Sequence, residues 1–227
     1  MRRFLWPMLA LFVSCCSTAP VTAAPLDTGG RMVAISLDDG PWSPGDRTGK
    51  LLDVLRDEGV VATFCLVGEM VDIPYGRSMV QRMQKEGHEL CNHTYTHPIL
   101  TQGNIARQIA STDAAIERAL GVDNYKTVIL RAPQGNTKYL RDKQCYGGRP
   151  FVGWGSHGDS DDYRFSGAHV LQVANRLPAG EILLLHDMHE TPERLREIIH
   201  ELKVRGMTFV HASALWVNPC GSHMANN

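Results

Sequence analysis

Residues 181–187 read EILLLHD, four consecutive apolar side chains followed directly by a histidine and an aspartate. A strand with one face in water alternates apolar and polar residues, so an unbroken apolar run is typical of a strand buried on both faces. Residues 31–37 form a similar run, which ends on Asp38 and Asp39. Strands of this kind form parallel sheets covered by helices, and polar residues at their C-terminal ends form the active site.

Strand and helix patterns alternate along the rest of the chain. Strands are predicted at Arg31–Leu37, Val60–Val67, Glu89–Asn92, Thr127–Leu130, Pro150–Trp154, Glu181–Leu185 and Met207–Val210. Helices are predicted at Arg47–Glu58, Arg77–Glu86 and Gly167–Leu177, between a capping Thr101 and Gly121, and from Thr191-Pro192 to Gly206. About seven such units in one domain indicate an α/β fold, and they favour a closed or nearly closed (β/α) barrel over an open sheet.

The composition is that of a globular protein of 227 residues with a formal net charge of -1 and no basic block, which argues against nucleic acid as a partner. A basic N-terminus, a short apolar run and small residues predict a secretory signal peptide over residues 1–24. A lipoprotein signal ending before Cys15 is the alternative and would add a lipid anchor. No later segment is long and apolar enough to be a transmembrane span. We expect a secreted or periplasmic protein with one domain over 25–220 and a disordered tail over 221–227.

Four cysteines lie beyond the signal region. Cys65 and Cys91 occur in apolar, strand-like runs, where a buried free thiol is the simplest interpretation. Cys145 and Cys220 occur in loop-like sequence and are the better disulfide candidates in an oxidising compartment.

The acids and histidines that follow the first and third strands predict a metal site. Of two adjacent aspartates at a strand end, Asp38 and Asp39, one can bind a metal while the other stays free as a base. His93 and His97 are four residues apart and share a face if the segment is helical. With Asp39 they make a two-histidine, one-carboxylate set, for which zinc is the default ion and iron, cobalt or nickel are alternatives.

Three further clusters also follow strands. Arg131 can hold a carboxylate by charge-assisted hydrogen bonds, and the turn at 133–135 can offer a backbone N–H to an oxyanion. His186, at the end of a wholly apolar strand, is a general-acid candidate. A histidine of this kind can be oriented by an acid from the segment after Trp154, and the candidates are Asp159, Asp161 and Asp162.

In order and spacing, the five clusters resemble the motifs of the polysaccharide deacetylase family (carbohydrate esterase family 4, the NodB-homology domain) over roughly residues 31–215. The resemblance implies a distorted (β/α) barrel with fewer than eight units. It implies Asp38 as the general base, Arg131 as the tether of Asp38, His186 as the general acid, and Asp162, chosen by position, as the acid that orients it. It implies that the metal ligands are Asp39, His93 and His97. Substrate-binding residues are expected at Gln134, Trp154, Tyr163 and Leu184.

The resemblance implies a metal-dependent hydrolase that removes N-acetyl groups from an envelope or extracellular polysaccharide built from units of the N-acetylglucosamine type. Two alternatives stay open. One is an O-acetyl esterase or deformylase of the same family. The other is a non-catalytic sugar-binding or zinc-binding envelope protein, in which His157, His189 and His211 could capture zinc. A polysaccharide or oligosaccharide is the expected partner, and the oligomeric state is left open.

Overall fold

Five parallel strands form the centre of the protein. The computed structural model describes residues 30–154, 157–160, 162, 164, 166–215 and 220, so the predicted signal peptide (1–24) and tail (221–227) lie outside the described residues. The strands are β1 (Met32–Asp38), β2 (Thr63–Leu66), β3 (Glu89–Asn92), β6 (Ile182–His186) and β7 (Thr208–Phe209). Their order is β3-β2-β1-β6, and β7 pairs with the first residues of β1. A separate antiparallel pair consists of β4 (Cys145–Tyr146) and β5 (Arg149–Pro150).

Helices follow the strands, as the alternating pattern predicts. They are α1 (Arg47–Glu58), α2 (Gly68–Val71), α3 (Pro74–Lys85), α4 (Ile105–Leu120), α5 (Gly167–Arg176), α6 (Pro192–Val204) and α7 (Ala212–Leu215). Helix α3 begins three residues before the predicted Arg77, with Pro74 in its first turn, where a missing N–H costs nothing. The predicted cap at Thr101 is wrong, because α4 begins after Asn104 while Thr101 pairs in a bridge with Tyr139.

Two of the predicted strands are reduced to isolated bridges. Of Thr127–Leu130 only Leu130 pairs, in parallel bridges to Asn92 and Phe151. Of Pro150–Trp154 only Phe151, in the bridge to Leu130, and Pro150, in the antiparallel β5, pair. Beyond these bridges the side chain of Arg131 contacts the second segment, with its Nε 3.5 Å from Val152 O and its Nη2 3.1 Å from Gly153 O. A further parallel bridge joins Asp159 to Leu184 of β6. The wall thus extends beyond both edges of the sheet, and the expected distorted barrel is confirmed.

Strand β1 shows why an apolar run at the centre of the sheet continues without polar residues in alternate positions. Its outward residues Val33, Ile35 and Leu37 pack into the large core between sheet and helices, and all three are 0% exposed. Alternate residues face inward, where Ala34 packs in a second, smaller core. Both faces are therefore buried, and full burial of each large side chain stabilises the fold by about 1.5–3 kcal/mol.

Two disulfides lie among the residues that the structure describes. Cys145–Cys220 forms as expected. The interpretation of Cys65 and Cys91 as free thiols is wrong, because they are register partners on β2 and β3 and are joined to each other. The pairing depends on strand register, which only the folded sheet provides. Within the described residues, no helix has the length and apolar character needed to span a bilayer.

Candidate active site

A cavity of about 520 Å³ opens at the C-terminal ends of the strands. Five of its acidic and histidine lining residues come from three strand ends: Asp38 and Asp39 from the end of β1, His93 and His97 from the segment after β3, and His186 from the end of β6. Parallel strands bring their C-terminal ends to one edge, so residues far apart in sequence meet there.

Asp38 is held by a buried arginine. Nη1 of Arg131 donates to Oδ1 of Asp38 at 2.6 Å and to Oγ of Ser36 at 2.8 Å. Asp38 is 3% exposed and Arg131 is 0% exposed. Charge-assisted hydrogen bonds of this length are strong, and they leave Oδ2 of Asp38 directed towards His93, whose Nε2 is 3.6 Å away.

Asp39, His93 and His97 form the one group of acids, histidines or cysteines among the described residues that could hold a metal ion. Oδ1 of Asp39 lies 3.4 Å from Nε2 of His93 and 3.3 Å from Nε2 of His97. Ligand atoms about 2.0–2.1 Å from a tetrahedral zinc ion are themselves about 3.3–3.4 Å apart, so these separations fit the ion. Oδ1 of Asp39 is also buried with no hydrogen-bond partner among the described residues, a deficit that a cation would satisfy.

Hydrogen bonds and charges prepare these side chains for a cation. Nδ1 of His93 must carry its proton, because it lies 2.9 Å from the carbonyl oxygen of Arg131, and Nε2 is left as the ligand atom. Burial acts to raise the pKa of Asp39, but the neighbouring histidines 93, 97 and 186 lower it to about 2. Burial, followed by the charge of His93, lowers the pKa of His97.

The two histidines do not lie on a helix, although a helix would place residues with a four-residue spacing on one face. Thr94 and His97 have positive φ angles of 71° and 54°, and the segment is a bent loop. Asn92 and Gln108 support this loop by accepting the N–H groups of residues 94, 95 and 96. The loop folds back on itself, so that the imidazole rings meet with their centroids 4.8 Å apart.

His186 is paired with Asp162. Its Nδ1 lies 2.5 Å from Oδ1 of Asp162, and its backbone N–H donates to Oδ2 of the same carboxylate at 2.7 Å. Burial acts to lower the pKa of His186, but the hydrogen bond and charge of Asp162, with the charges of Asp38 and Asp39, raise it to about 9. Among the three acids that the sequence left open, Asp162 makes this contact, Asp159 lines the cavity, and Asp161 lies outside the described residues.

Three of the four expected substrate-binding residues line the cavity, namely Gln134, Trp154 and Leu184. The fourth, Tyr163, lies outside the described residues. Sequence reasoning missed Arg164 in the same lining. Of the histidines considered for zinc capture, His189 lines the cavity, while Nε2 of His211 contacts the carbonyl of Gly87 and Nδ1 of His157 lies near Glu181.

Asp187 supports the site from behind, a role that the sequence did not suggest. It is 0% exposed, its Oδ2 accepts the Thr48 hydroxyl at 2.7 Å, and its N–H donates to the carbonyl of Asp38 at 2.9 Å. Burial raises the pKa of its carboxyl to about 7. A side chain at Gly40 would overlap this carboxylate, so the turn after Asp39 needs glycine there. The sequence offered one signal for this role, an acid that directly follows His186 at the end of an apolar strand.

A barrel wall with an Asp-His-His cluster, a buried Asp–Arg pair and a carboxylate-bound histidine around one cavity defines the class of barrel hydrolases that can use a metal ion. The family model described as polysaccharide deacetylase matches residues 26–144. The chain belongs to the polysaccharide deacetylase family.

Individual relatives agree with this assignment. The bifunctional xylanase/deacetylase of Pseudobutyrivibrio xylanivorans is 36% identical over 202 residues, which cover 83% of this chain but only 32% of that protein. A peptidoglycan-N-acetylglucosamine deacetylase of Bacillus cereus is 32% identical over 198 residues, covering 82% of this chain and 88% of that enzyme. The cobalt-bound family 4 acetyl xylan esterase of Clostridium thermocellum superposes with a TM-score of 0.69 at 31% identity, covering 81% of this chain and 89% of that one.

Proposed function

We propose that this protein is a zinc-dependent deacetylase that hydrolyses N-acetyl groups on a polysaccharide built from units of the N-acetylglucosamine type. The observation that carries the proposal is the convergence of three units on one cavity: the Asp38–Arg131 pair, the Asp39 cluster and the His186–Asp162 pair. The named relatives act on peptidoglycan or on xylan, so an acetylated glycan is the common substrate chemistry.

In the proposed mechanism, Asp39, His93 and His97 hold the zinc ion, and cobalt or nickel could replace it. Zinc supplies a Lewis acid that polarises the acyl oxygen and lowers the pKa of water. Asp38 accepts a proton from the attacking water. Arg131 keeps the carboxylate of Asp38 oriented, and its positive charge stabilises the ionised carboxylate until the proton is transferred.

In the same mechanism, His186 donates a proton to the nitrogen of the leaving amine. An amide releases an amine, which is a poor leaving group unless it is protonated as it departs. The raised pKa of His186 keeps the ring protonated at neutral pH, and Asp162 orients it by binding both Nδ1 and the backbone N–H. The backbone N–H of Gln134 is the proposed donor to the oxyanion. Gln134, Trp154, Tyr163 and Leu184 are the proposed substrate contacts.

Acetate release tests the proposal. Zinc-loaded protein is incubated with acetylated chitin oligomers and with peptidoglycan fragments, beside Asp38→Asn as a control of nearly equal volume. Release that disappears in Asp38→Asn supports the deacetylase. A fully loaded protein that binds these glycans but releases no acetate contradicts it and favours a binding protein.

O-acetyl ester hydrolysis is a second candidate, because the esterase of Clostridium thermocellum has a similar structure. An ester releases an alcohol and needs less help from the acid. His186→Ala should therefore abolish amide hydrolysis while sparing an activated ester such as 4-nitrophenyl acetate. Wild-type activity on acetylated xylan without activity on chitin oligomers would assign the natural reaction to the ester.

We also propose export, with one deacetylase domain over residues 25–220. The two disulfides favour an oxidising compartment, either secreted or periplasmic. Mass spectrometry of the mature N-terminus distinguishes cleavage near residue 24 from a lipid-modified Cys15.

A further inference from the structure

A second groove adjoins the catalytic cavity. Its volume is about 370 Å³, and it shares Gln134, Gly135 and Trp154 with the cavity. Both volumes lie in the range of ligand pockets, about 300–1,000 Å³. A polysaccharide extends beyond the unit whose acetyl group is removed, so a groove that continues from the cavity can receive the neighbouring sugar.

The indole of Trp154 divides the two spaces and is held in place. A Cβ atom on Gly135 would lie 2.9 Å from the indole, so the ring packs directly against the glycine backbone. The guanidinium of Arg131 lies 6.0 Å from the ring centroid, at cation–π distance. A fixed aromatic ring that borders both spaces gives consecutive sugars a common apolar surface.

The described lining of the groove contains one charged side chain, and it is a cation. This side chain is Lys143, and none of the groove's described lining residues is an acid, whereas the catalytic cavity contains Asp38, Asp39 and Asp159. Lys143 makes no ion pair with any described residue. The neighbouring Asp142 makes no ion pair with Lys143; its Oδ1 accepts the N–H groups of residues 144 and 145 at 2.8 and 3.0 Å.

The loop that carries Lys143 is anchored at several points. Leu140 is 5% exposed and packs in a core cluster with Phe151. The N–H of Phe151 donates to the carbonyl of Gln144 at 2.7 Å. Cys145, which follows Gln144, is disulfide-bonded to Cys220. The stem of the lysine therefore starts from a defined place, which reduces the entropy lost on binding.

We propose that this groove is a second sugar subsite, in which Lys143 binds a carboxylate on the sugar next to the one that is deacetylated. The inference rests on the proposed function, since the shared wall implies one glycan across both spaces. It narrows the substrate to an acetylated glycan that carries carboxylates. A lactyl ether on an amino sugar and a hexuronic acid are the two sources of that chemistry.

Matched ligands test the carboxylate directly. Zinc-loaded Asp38→Asn protein is titrated calorimetrically with a tetrasaccharide of alternating N-acetylglucosamine and N-acetylmuramic acid, and with the methyl ester of that tetrasaccharide. A second pair consists of an acetylated xylo-oligosaccharide with a glucuronic acid branch and its methyl ester. The free acid should bind about two- to five-fold more tightly than its ester, as expected for one solvent-exposed ion pair. The pair that shows the preference identifies the source of the carboxylate.

Variants then assign the effect to Lys143. Lys143→Gln should bring the ratio of acid to ester affinity to about one, and Lys126→Gln, an exposed lysine outside the groove, should keep the ratio of the parent protein. Because Asp38→Asn alters a buried ion pair, the same ratio is also taken from kcat/KM with Asp38 intact. A ratio of one for both ligand pairs in the parent, or an undiminished ratio in Lys143→Gln, overturns the subsite. The affinity ratio needs no turnover, so a missing acetate signal would contradict the deacetylase and leave the subsite result standing.

Discussion

Asp162→Asn should change the pH dependence of catalysis more than its maximum rate. His186 has a pKa of about 9, against 6.5 for an ordinary histidine, and Asp162 is the main group that raises it. Asp38 and Asp39 also raise the pKa of His186, burial acts to lower it, and the ring of His189 lies 6.2 Å away. Asparagine keeps the size of the side chain but removes its charge, so the pKa of His186 should fall towards 6.5.

The size of the effect follows from the protonated fraction of His186. A general acid works only while protonated, so activity is present below its pKa and is lost above it. At pH 8 the fraction is about 0.9 for a pKa of 9 and about 0.03 for a pKa of 6.5, a difference of about 30-fold. At pH 6 the fractions are about 1.0 and 0.8, so the difference there is only about 1.3-fold. In the variant, burial still lowers the pKa of His186 and the charges of Asp38 and Asp39 still raise it, so the loss at pH 8 should be on the order of 30-fold.

The assay is kcat/KM for acetate release between pH 6 and pH 9, with Asp123→Asn as an exposed control for the same substitution. We expect the ratio of wild-type to Asp162→Asn activity to increase with pH, in addition to any pH-independent loss from misorientation of the ring. A ratio that is the same at pH 6 and pH 8 would refute the assignment of Asp162 as the group that sets the pKa of His186.

Three other substitutions test the ligands and the packing of the site. His97→Ala should weaken zinc binding by more than about 100-fold, because it removes one of three ligands; chelator competition measures this, and unchanged affinity would exclude His97 as a ligand. Arg131→Met should lower the free energy of unfolding in urea by about 3–5 kcal/mol, since it leaves Asp38 buried without its partner, and a cost below about 1 kcal/mol would contradict that pairing. Gly40→Ala should cost about 1–3 kcal/mol through overlap with Asp187, and the cost should shrink in an Asp187→Ser background, whereas additive costs would show that the two sites are independent.

The elements that could be predicted are those whose sequence pattern is local. Helix α1 has the predicted bounds Arg47–Glu58, because apolar residues recur at helical spacing and Gly59 ends the helix with a positive φ of 63°. Strand β3 also matches its prediction. The segments around Leu130 and Phe151 look equally strand-like, but they make only isolated bridges. The side chain of Arg131, which follows Leu130, contacts the carbonyl oxygens of Val152 and Gly153, and no local pattern reveals that contact.

The residues of the site also divide into those that a local sequence pattern predicts and those that it does not. Asp38, Asp39, His93 and His97 could be named from their positions at strand ends, and the structure brings them together. The loop conformation that unites the two histidines has positive φ angles at residues other than glycine, which no periodicity reveals. The partner of His186 could only be narrowed to three acids, because the path of an irregular loop decides which carboxylate reaches the ring. The Cys65–Cys91 bond likewise depends on strand register.

The proposed base and the proposed acid are register partners. Asp38 on β1 lies opposite His186 on β6, and Asp38 also lies opposite Cys65 on β2. Neighbouring strands are spaced about 4.8 Å apart by their backbone hydrogen bonds. The sheet therefore fixes the backbone separation of the two residues that transfer protons in the proposed mechanism. Loops around the cavity can lengthen, shorten or exchange charges without changing that separation. The strand pairing thus sets the backbone separation of the proposed base and acid independently of the loops that line the cavity.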